Sequence, residues 1–248
     1  MPAVLPAPKP SAPFPATDPR PRRWTVAEYH NMGAHELFGD RHVMLIEGVI
    51  LESHHGNPNE PDPRPWRWNL REYYRLHDLC LFIDQRVSLI NGVVYQESPM
   101  NPPHETGVSK GTKTLEAVFQ PAAYVRVQLP IMLGQASDPH PDLAVVVGTY
   151  MTYATQHPTT ALLVVEISDT TLAFDQGEKA SLYAAGGIAD YWIVDLNNRR
   201  VEVRRNPIAD PSQAYGWTYA DVKVLTPGDT ISPLALPTAT IAVADLLP

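Results

Sequence analysis

Two short apolar runs, Leu143-Ala-Val-Val-Val147 and Leu162-Leu-Val-Val-Glu166-Ile-Ser168, constrain the fold most. Both are rich in Val and Leu and bounded by Pro, Gly or polar residues, the composition of strands buried on both faces. Each also carries a carboxylate where a buried strand should not want one. Asp142, after Pro141, opens the first, and Glu166 comes near the end of the second. An ionised carboxylate there is costly unless a cation meets it. The next segment, Asp175-Gln-Gly-Glu-Lys179-Ala-Ser-Leu-Tyr183, reads as a helix ended by Gly186-Gly187. A divalent metal and Lys179 are therefore the economical partners. Singly, each residue has a plain structural account: a turn cap for Asp142, a salt bridge for Glu166, an i, i+4 pair for Asp175 and Lys179.

Upstream, a pattern occurs twice. Trp24-Thr-Val-Ala-Glu28-Tyr29 corresponds to Trp68-Asn-Leu-Arg-Glu72-Tyr73, and Leu37-Phe38 to Leu81-Phe82. Leu45-Ile46-Glu-Gly48-Val49 corresponds likewise to Leu89-Ile90-Asn-Gly92-Val93. The offset is 44 residues throughout and needs no gap, which marks an internal duplication. Thr25 to Glu28 matches a capping box, so each unit predicts a short helix followed by a hairpin. Only the second copy runs on, through Asn101-Pro-Pro-His104, into a further helix over 104–119. Strands are expected over 124–129, 143–147, 161–167, 191–195 and 200–204. Beyond Pro207 only weak strand signals appear, near 222–224 and 240–243. The order of elements describes an α/β sandwich around a mixed sheet.

A chain of 248 residues with 44% hydrophobic content holds one good-sized core plus an appendage. The expected division is a disordered Pro/Ala-rich arm over 1–23, a helix-hairpin appendage over 24–60 and a main domain over 66–248, with a Pro- and Asn-rich linker before Trp66. No apolar run spans a bilayer, and the proline-rich start does not read as a signal peptide. The cytoplasm is the expected compartment. Cys80 is alone, so neither a disulfide framework nor a thiolate zinc site is available. His54-His55 lacks a credible zinc spacing. A net charge of −8 argues against a DNA-coating protein but not against an enzyme touching a few phosphates. Trp66, Trp68, Arg64, Arg67 and Arg71 would either grip a strand by stacking and phosphate contact or pack the appendage onto its domain.

Pro141-Asp142 followed by Glu166-Ile167-Ser168 resembles the PD-(D/E)XK nuclease superfamily, with Ser168 standing where the strand lysine belongs. Within it, the chain looks most like the Uma-two-type restriction endonuclease family, from about Leu70 to the C-terminus. The likeness rests on Met100-Asn-Pro-Pro-His104, Val127-Gln128-Leu-Pro130, Pro141-Asp142, Val165-Glu166-Ile-Ser168, Asp175-x-Gly177-x-Lys179 with Tyr183, and Tyr191-Trp-Ile-Val-Asp195. The resemblance implies a restriction-endonuclease-like mixed sheet flanked by helices, and a Mg²⁺- or Mn²⁺-dependent endonuclease acting on DNA as a homodimer. It further implies that Asp142, Glu166 and the Ile167 carbonyl hold the metal, with His104 a further ligand or phosphate contact. Lys179 would replace the missing lysine, and Gln128, Ser168, Asp175 and Tyr183 would support them. Two rivals stay open: a non-catalytic nucleic-acid-binding or assembly module that kept the fold, and a hydrolase of small phosphoesters. The first copy is expected to extend or cover a sheet edge, or to bridge two subunits, because a lone hairpin is marginal in water.

Overall fold

The computed structural model describes residues 19–53 and 63–248. Most of the proposed arm, His54-His55 and most of the linker therefore lie outside the described residues. The duplicated part comprises β1 (Arg20–Pro21), α1 (Val26–Ala34), β2 (Val43–Ile46), β3 (Val49–Glu52), β4 (Arg64–Pro65), α2 (Leu70–Asp78), β5 (Arg86–Ile90) and β6 (Val93–Glu97). The remainder begins with α3 (Pro102–Phe119), β7 (Ala123–Val127), β8 (Leu143–Val147) and β9 (Leu163–Ser168). A helix follows in three pieces: α4 (Leu172–Phe174), a π-helical turn (Asp175–Lys179) and α5 (Ala180–Ala185). The chain closes with β10 (Asp190–Asp195), β11 (Arg200–Ala209), β12 (Trp217–Leu225), β13 (Thr230–Ile231) and β14 (Ile241–Ala242). Among the described residues no helix is long and apolar enough to cross a membrane.

Each copy of the repeat starts its helix with the same device. Thr25 and Asn69 each accept from the N–H three residues on, and Glu28 and Glu72 each reach back to the cap N–H. The hairpins turn at Glu47-Gly48 and Asn91-Gly92, with φ of 47° and 77° in the first and 46° and 76° in the second. Positive φ at both central positions is what a type I′ turn requires. The likeness also starts earlier than Trp24, because Arg20-Pro-Arg-Arg-Trp24 matches Arg64-Pro-Trp-Arg-Trp68. These extra residues form β1 and β4, and each pairs with the other copy. β1 joins β6, while β4 joins β3. The equivalent bonds Arg22 N–H to Val94 and Trp66 N–H to Ile50, 2.8 and 2.9 Å, continue that exchange. The copies thus clasp each other about a pseudo-two-fold axis and share one core, which includes Trp24, Met32, Phe38, Trp68, Leu76 and Phe82. The first copy adds no strand to the central sheet. Its leading strand β1 borders the second hairpin instead.

The central sheet has six strands in the order β12-β11-β10-β9-β8-β7. β9 and β10 are parallel, joined by the segmented helix, and every other pair is antiparallel. Apolar residues alternate between two cores. Val145, Val165, Ile167 and Trp192 face α3 and the C-terminal residues, and Ala144, Val164, Tyr191 and Ile193 face α5. This is the central mixed sheet flanked by helices that the sequence predicts. The weak signals after Pro207 understate the structure, however. β11 and β12 form a long hairpin in which Pro207 opposes Tyr219. Most β12 side chains are exposed, so the strand lacks the apolar alternation that reveals strands in a sequence.

Candidate active site

Strand register brings the two acids together. Leu143 opposes Val165 across β8 and β9, so one step outward Asp142 lies opposite Glu166. Directly opposed residues in an antiparallel pair share a face. The same step beyond the Val127–Leu143 pair puts Gln128 on the other flank of Asp142. Asp142 Oδ1 accepts from Gln128 Nε2 at 3.1 Å and lies 2.9 Å from His104 Nε2. The Ile167 N–H donates to Asp142 Oδ2 at 2.8 Å, and the Asp142 N–H is 3.4 Å from Glu166 Oε2.

Two helices complete the group. The Asn101 side chain caps α3 by accepting from the His104 N–H at 3.0 Å, which sets His104 in the first turn. A Cβ on Gly107 would stand 2.7 Å from Ile167 Cγ2, and one on Gly111 2.6 Å from Leu143 Cδ1. Glycine at both places lets α3 lie against the strands that carry the acids. On the opposite face, Tyr183 Oη donates to Glu166 Oε1 at 2.6 Å. Lys179 Nζ sits 3.0 Å from Glu166 Oε2 and 3.3 Å from Asp175 Oδ1. The helix expected to begin at Asp175 begins earlier and passes through a π turn there, a distortion frequent at functional sites. Thr171 Oγ1 donates to Asp175 Oδ2 at 2.5 Å and Tyr191 Oη to the Asp175 carbonyl at 2.9 Å. Asp175 is buried, at the junction of α4 and the π turn.

Three carboxylates, one lysine and one histidine therefore meet, the three acids buried. Burial pushes Glu166 up to about 8; Lys179 and the Tyr183 hydrogen bond oppose this while Asp142 and Asp175 reinforce it. Burial also disfavours the Lys179 ammonium, but the Glu166 and Asp175 carboxylates outweigh it and raise its pKa above the ordinary lysine value. At Asp142 burial is overcome by the hydrogen bond and charge of His104, so its pKa is lowered. His104 is raised in return, against its own burial, by Asp142. A cavity of about 70 Å³ opens on the group, lined by Arg86, Glu97, His104, Asp142, Glu166 and Lys179 among others.

Of the residues singled out in the sequence, Asp142, Glu166, Lys179, His104, Gln128, Asp175 and Tyr183 form one connected set. Ser168 does not touch the acids through its hydroxyl, which lies 3.3 Å from Thr171 Oγ1 and joins the set only by way of Asp175. Thr171, Arg86 and Glu97 were not foreseen. Thr171 sits four residues before Asp175 and was legible as a helix-start hydroxyl. Arg86 and Glu97, 3.3 Å apart across the second hairpin, gave no signal because only tertiary docking brings them to the cavity. Among the described residues, no three His, Cys, Asp or Glu side chains are grouped to hold a metal by themselves. Trp66 and Trp68 are buried in the shared core rather than displayed for stacking, and Arg41 lies over Trp66 at 3.9 Å.

The model of the Uma2 family, described as "putative restriction endonuclease", matches residues 70–244. A solved structure, that of a putative nuclease belonging to DUF820 from Anabaena variabilis, has a similar fold. It superposes with a TM-score of 0.54 at 18% identity, covering 72% of this chain and 97% of the other. No curated protein matches the chain.

Proposed function

The chain belongs to the Uma2 family, and on that premise we propose that it is a metal-dependent endonuclease hydrolysing phosphodiester bonds in DNA. One observation carries the reading: Asp142, Glu166 and Lys179, from three separate elements, meet on a single cavity. The donor chemistry suits a hard divalent cation. Two carboxylates converge, and burial together with the neighbouring Asp142 and Asp175 raises the pKa of Glu166 even beside Lys179, so a further cation would relieve it. Asp142, Glu166 and the Ile167 carbonyl would hold Mg²⁺ or Mn²⁺, with His104 alongside. When bound, the metal would acidify a water and stabilise charge on the phosphate.

The chain's own groups have separable tasks. Held above the ordinary lysine pKa, Lys179 acts as an ammonium and not as a base. Two carboxylates take two of its donors, and a third is available to a phosphate oxygen or to the attacking water. Its position on the helix compensates for Ser168 in the strand. Gln128 and His104 fix the orientation of Asp142, as Tyr183 does for Glu166, and Asp175 holds Lys179 over the acids.

Nicking of supercoiled DNA with Mg²⁺ or Mn²⁺ tests this. Glu166→Gln and Lys179→Ala should each lower the rate by roughly 100-fold or more, the scale of losing one preorganised electrostatic group. Unchanged rates in both variants would sink the mechanism. Binding without cleavage by the parent chain would favour the non-catalytic module.

The pH dependence follows from Glu166. Its folded value, about 8, exceeds the ordinary 4.5, so between those pH values the folded chain binds the extra proton. Stability of the metal-free chain falls as pH rises through that window, by at most about 1.4 kcal/mol per pH unit. Metal must displace the proton, so Mn²⁺ affinity should rise with pH up to about 8, by up to about tenfold per unit. Melting curves and calorimetric titrations between these limits check both, and Glu166→Gln should flatten the melting profile.

A further inference from the structure

A larger cavity, about 510 Å³, lies where the two copies of the repeat meet. Its wall is built in pairs 44 residues apart, among them Pro21 with Pro65, Arg23 with Arg67 and Val49 with Val93. The same local geometry fixes both arginines. A Cβ on Gly48 or Gly92 would stand 2.9 Å from the Cβ of Arg23 or Arg67, so each arginine stem crosses a hairpin turn at contact distance. Each Nη1 donates into that turn, Arg23 to the Glu47 carbonyl at 3.2 Å and Arg67 to that of Asn91 at 3.1 Å. A guanidinium carries five N–H donors in a planar fork suited to phosphate. Among the described residues of this wall the acid is Glu178, which accepts from Tyr215 Oη at 2.5 Å. Among the described residues, this wall thus carries three arginines, Arg22, Arg23 and Arg67, against one acid, in a chain of net charge −8.

Its position says what it serves. Three stretches run from this cavity into the carboxylate cavity: Pro21 to Pro19, Tyr95 to Glu97, and Glu178 to Lys179. Two residues along a strand span about 7 Å, so a few nucleotides reach from one cavity to the other. We propose that the axial cavity binds a nucleotide unit of the DNA strand being cut, its phosphate on Arg23 and Arg67 and its apolar surface against Val49, Val93 and the two prolines. The assignment of the strand as the substrate rests on the nuclease reading.

Fluorescence anisotropy with a short labelled single-stranded oligonucleotide, in EDTA so that nothing is cut, tests the site. Arg23→Gln/Arg67→Gln should weaken binding about tenfold and, for the one phosphate they share, lower the slope of log affinity against log salt by about 0.7. Val93→Phe, which fills the cavity and leaves both charges, should weaken binding to a similar degree with unchanged melting. Should the double arginine variant not fold, Val93→Phe decides. Parental affinity in the variants that fold would overturn the proposal. So would equal binding of poly-glutamate, and equally tight binding of free dAMP would show a mononucleotide site instead of a strand site. In the parent chain, oligonucleotide or dAMP binding should change tryptophan fluorescence, since Trp24, Trp66 and Trp68 line the cavity. Nicking assays on the same proteins separate the two readings. A parent that cuts DNA while the variants bind normally removes the cavity assignment alone. A parent that binds through the arginines and never cuts removes the nuclease reading alone.

Discussion

The first and second copies of the helix-hairpin unit have the same caps, the same turn dihedrals and the same cross-copy pairing, yet they occupy different surroundings. In the first hairpin, β2 alternates half-buried and exposed side chains, leaving Met44 and Ile46 in solvent. In the second, β5 is buried at Val87, Ser88, Leu89 and Ile90, because a second layer covers its other face. Ile90 belongs to the core beneath α5, Leu89 bridges to Asp138, and Arg86 and Glu97 border the carboxylate cavity. One backbone design thus does two jobs. The second copy packs on the core beneath α5 and borders the site, and the first completes the second copy's core. What specialises a copy is the docking of its outer face, not its internal geometry.

If the first copy completes a shared core, its removal should have the largest effect of any change here. A chain lacking residues 1–62 loses β1, α1 and the first hairpin, and exposes Trp66, Trp68 and Leu76, which are now buried. We expect it to aggregate, or to melt without a cooperative transition. A soluble chain with the parental melting temperature would break the comparison and make the first copy a dispensable appendage.

A smaller change sharpens the same point. Met32 and Leu76 are equivalent positions, 44 residues apart, and both are 0% exposed in the common core. Met32→Ala and Leu76→Ala should each cost about 2–5 kcal/mol in denaturant unfolding, the range for emptying a buried site. Similar losses would make the two halves energetic equals. A loss below about 1 kcal/mol for Met32→Ala alone would show a first copy that can collapse or fray independently.

The sequence revealed what short-range chemistry writes into it. Both capping boxes and both hairpin turns were legible because each depends on residues only one to three positions apart. Asp142, Glu166 and Lys179 were legible because acids in apolar strands are anomalous, and the resemblance ordered them. The exchange between copies was not, since β1 and β4 are two residues long and carry no periodicity. The π turn was equally hidden. The spacing of Asp175-Gln-Gly-Glu-Lys179 reads as an ordinary helix, and the contacts of its ends, Asp175 with Thr171 and Lys179 with Glu166, reach outside that stretch. β12 shows only a weak signal, at 222–224, for a third reason. It lies at the sheet edge, and Val222 and Val224 are exposed beside Asp221 and Lys223, so burial leaves no mark on its sequence.

The caps offer the finest test of whether the copies differ by surroundings alone. Thr25 and Asn69 make the same pair of bonds, to the N–H of Glu28 at 3.2 Å and to that of Glu72 at 3.0 Å. Removing an N-cap oxygen costs about 1 kcal/mol, so Thr25→Ala and Asn69→Ala should shift global unfolding by nearly equal amounts. The partners of the two glutamates differ, however. Glu28 also binds Arg22, which is buried, at 2.5 Å and has a lowered pKa, while Glu72 meets the exposed Arg41 at 3.0 Å. Buried partners screen less than exposed ones. Raising the salt concentration should therefore spare the effect of Thr25→Ala and change the consequences of Glu72→Gln more than those of Glu28→Gln. Identical salt responses at both glutamates would mean that Arg22 lends the first copy nothing the second lacks, and that local geometry alone accounts for both helices.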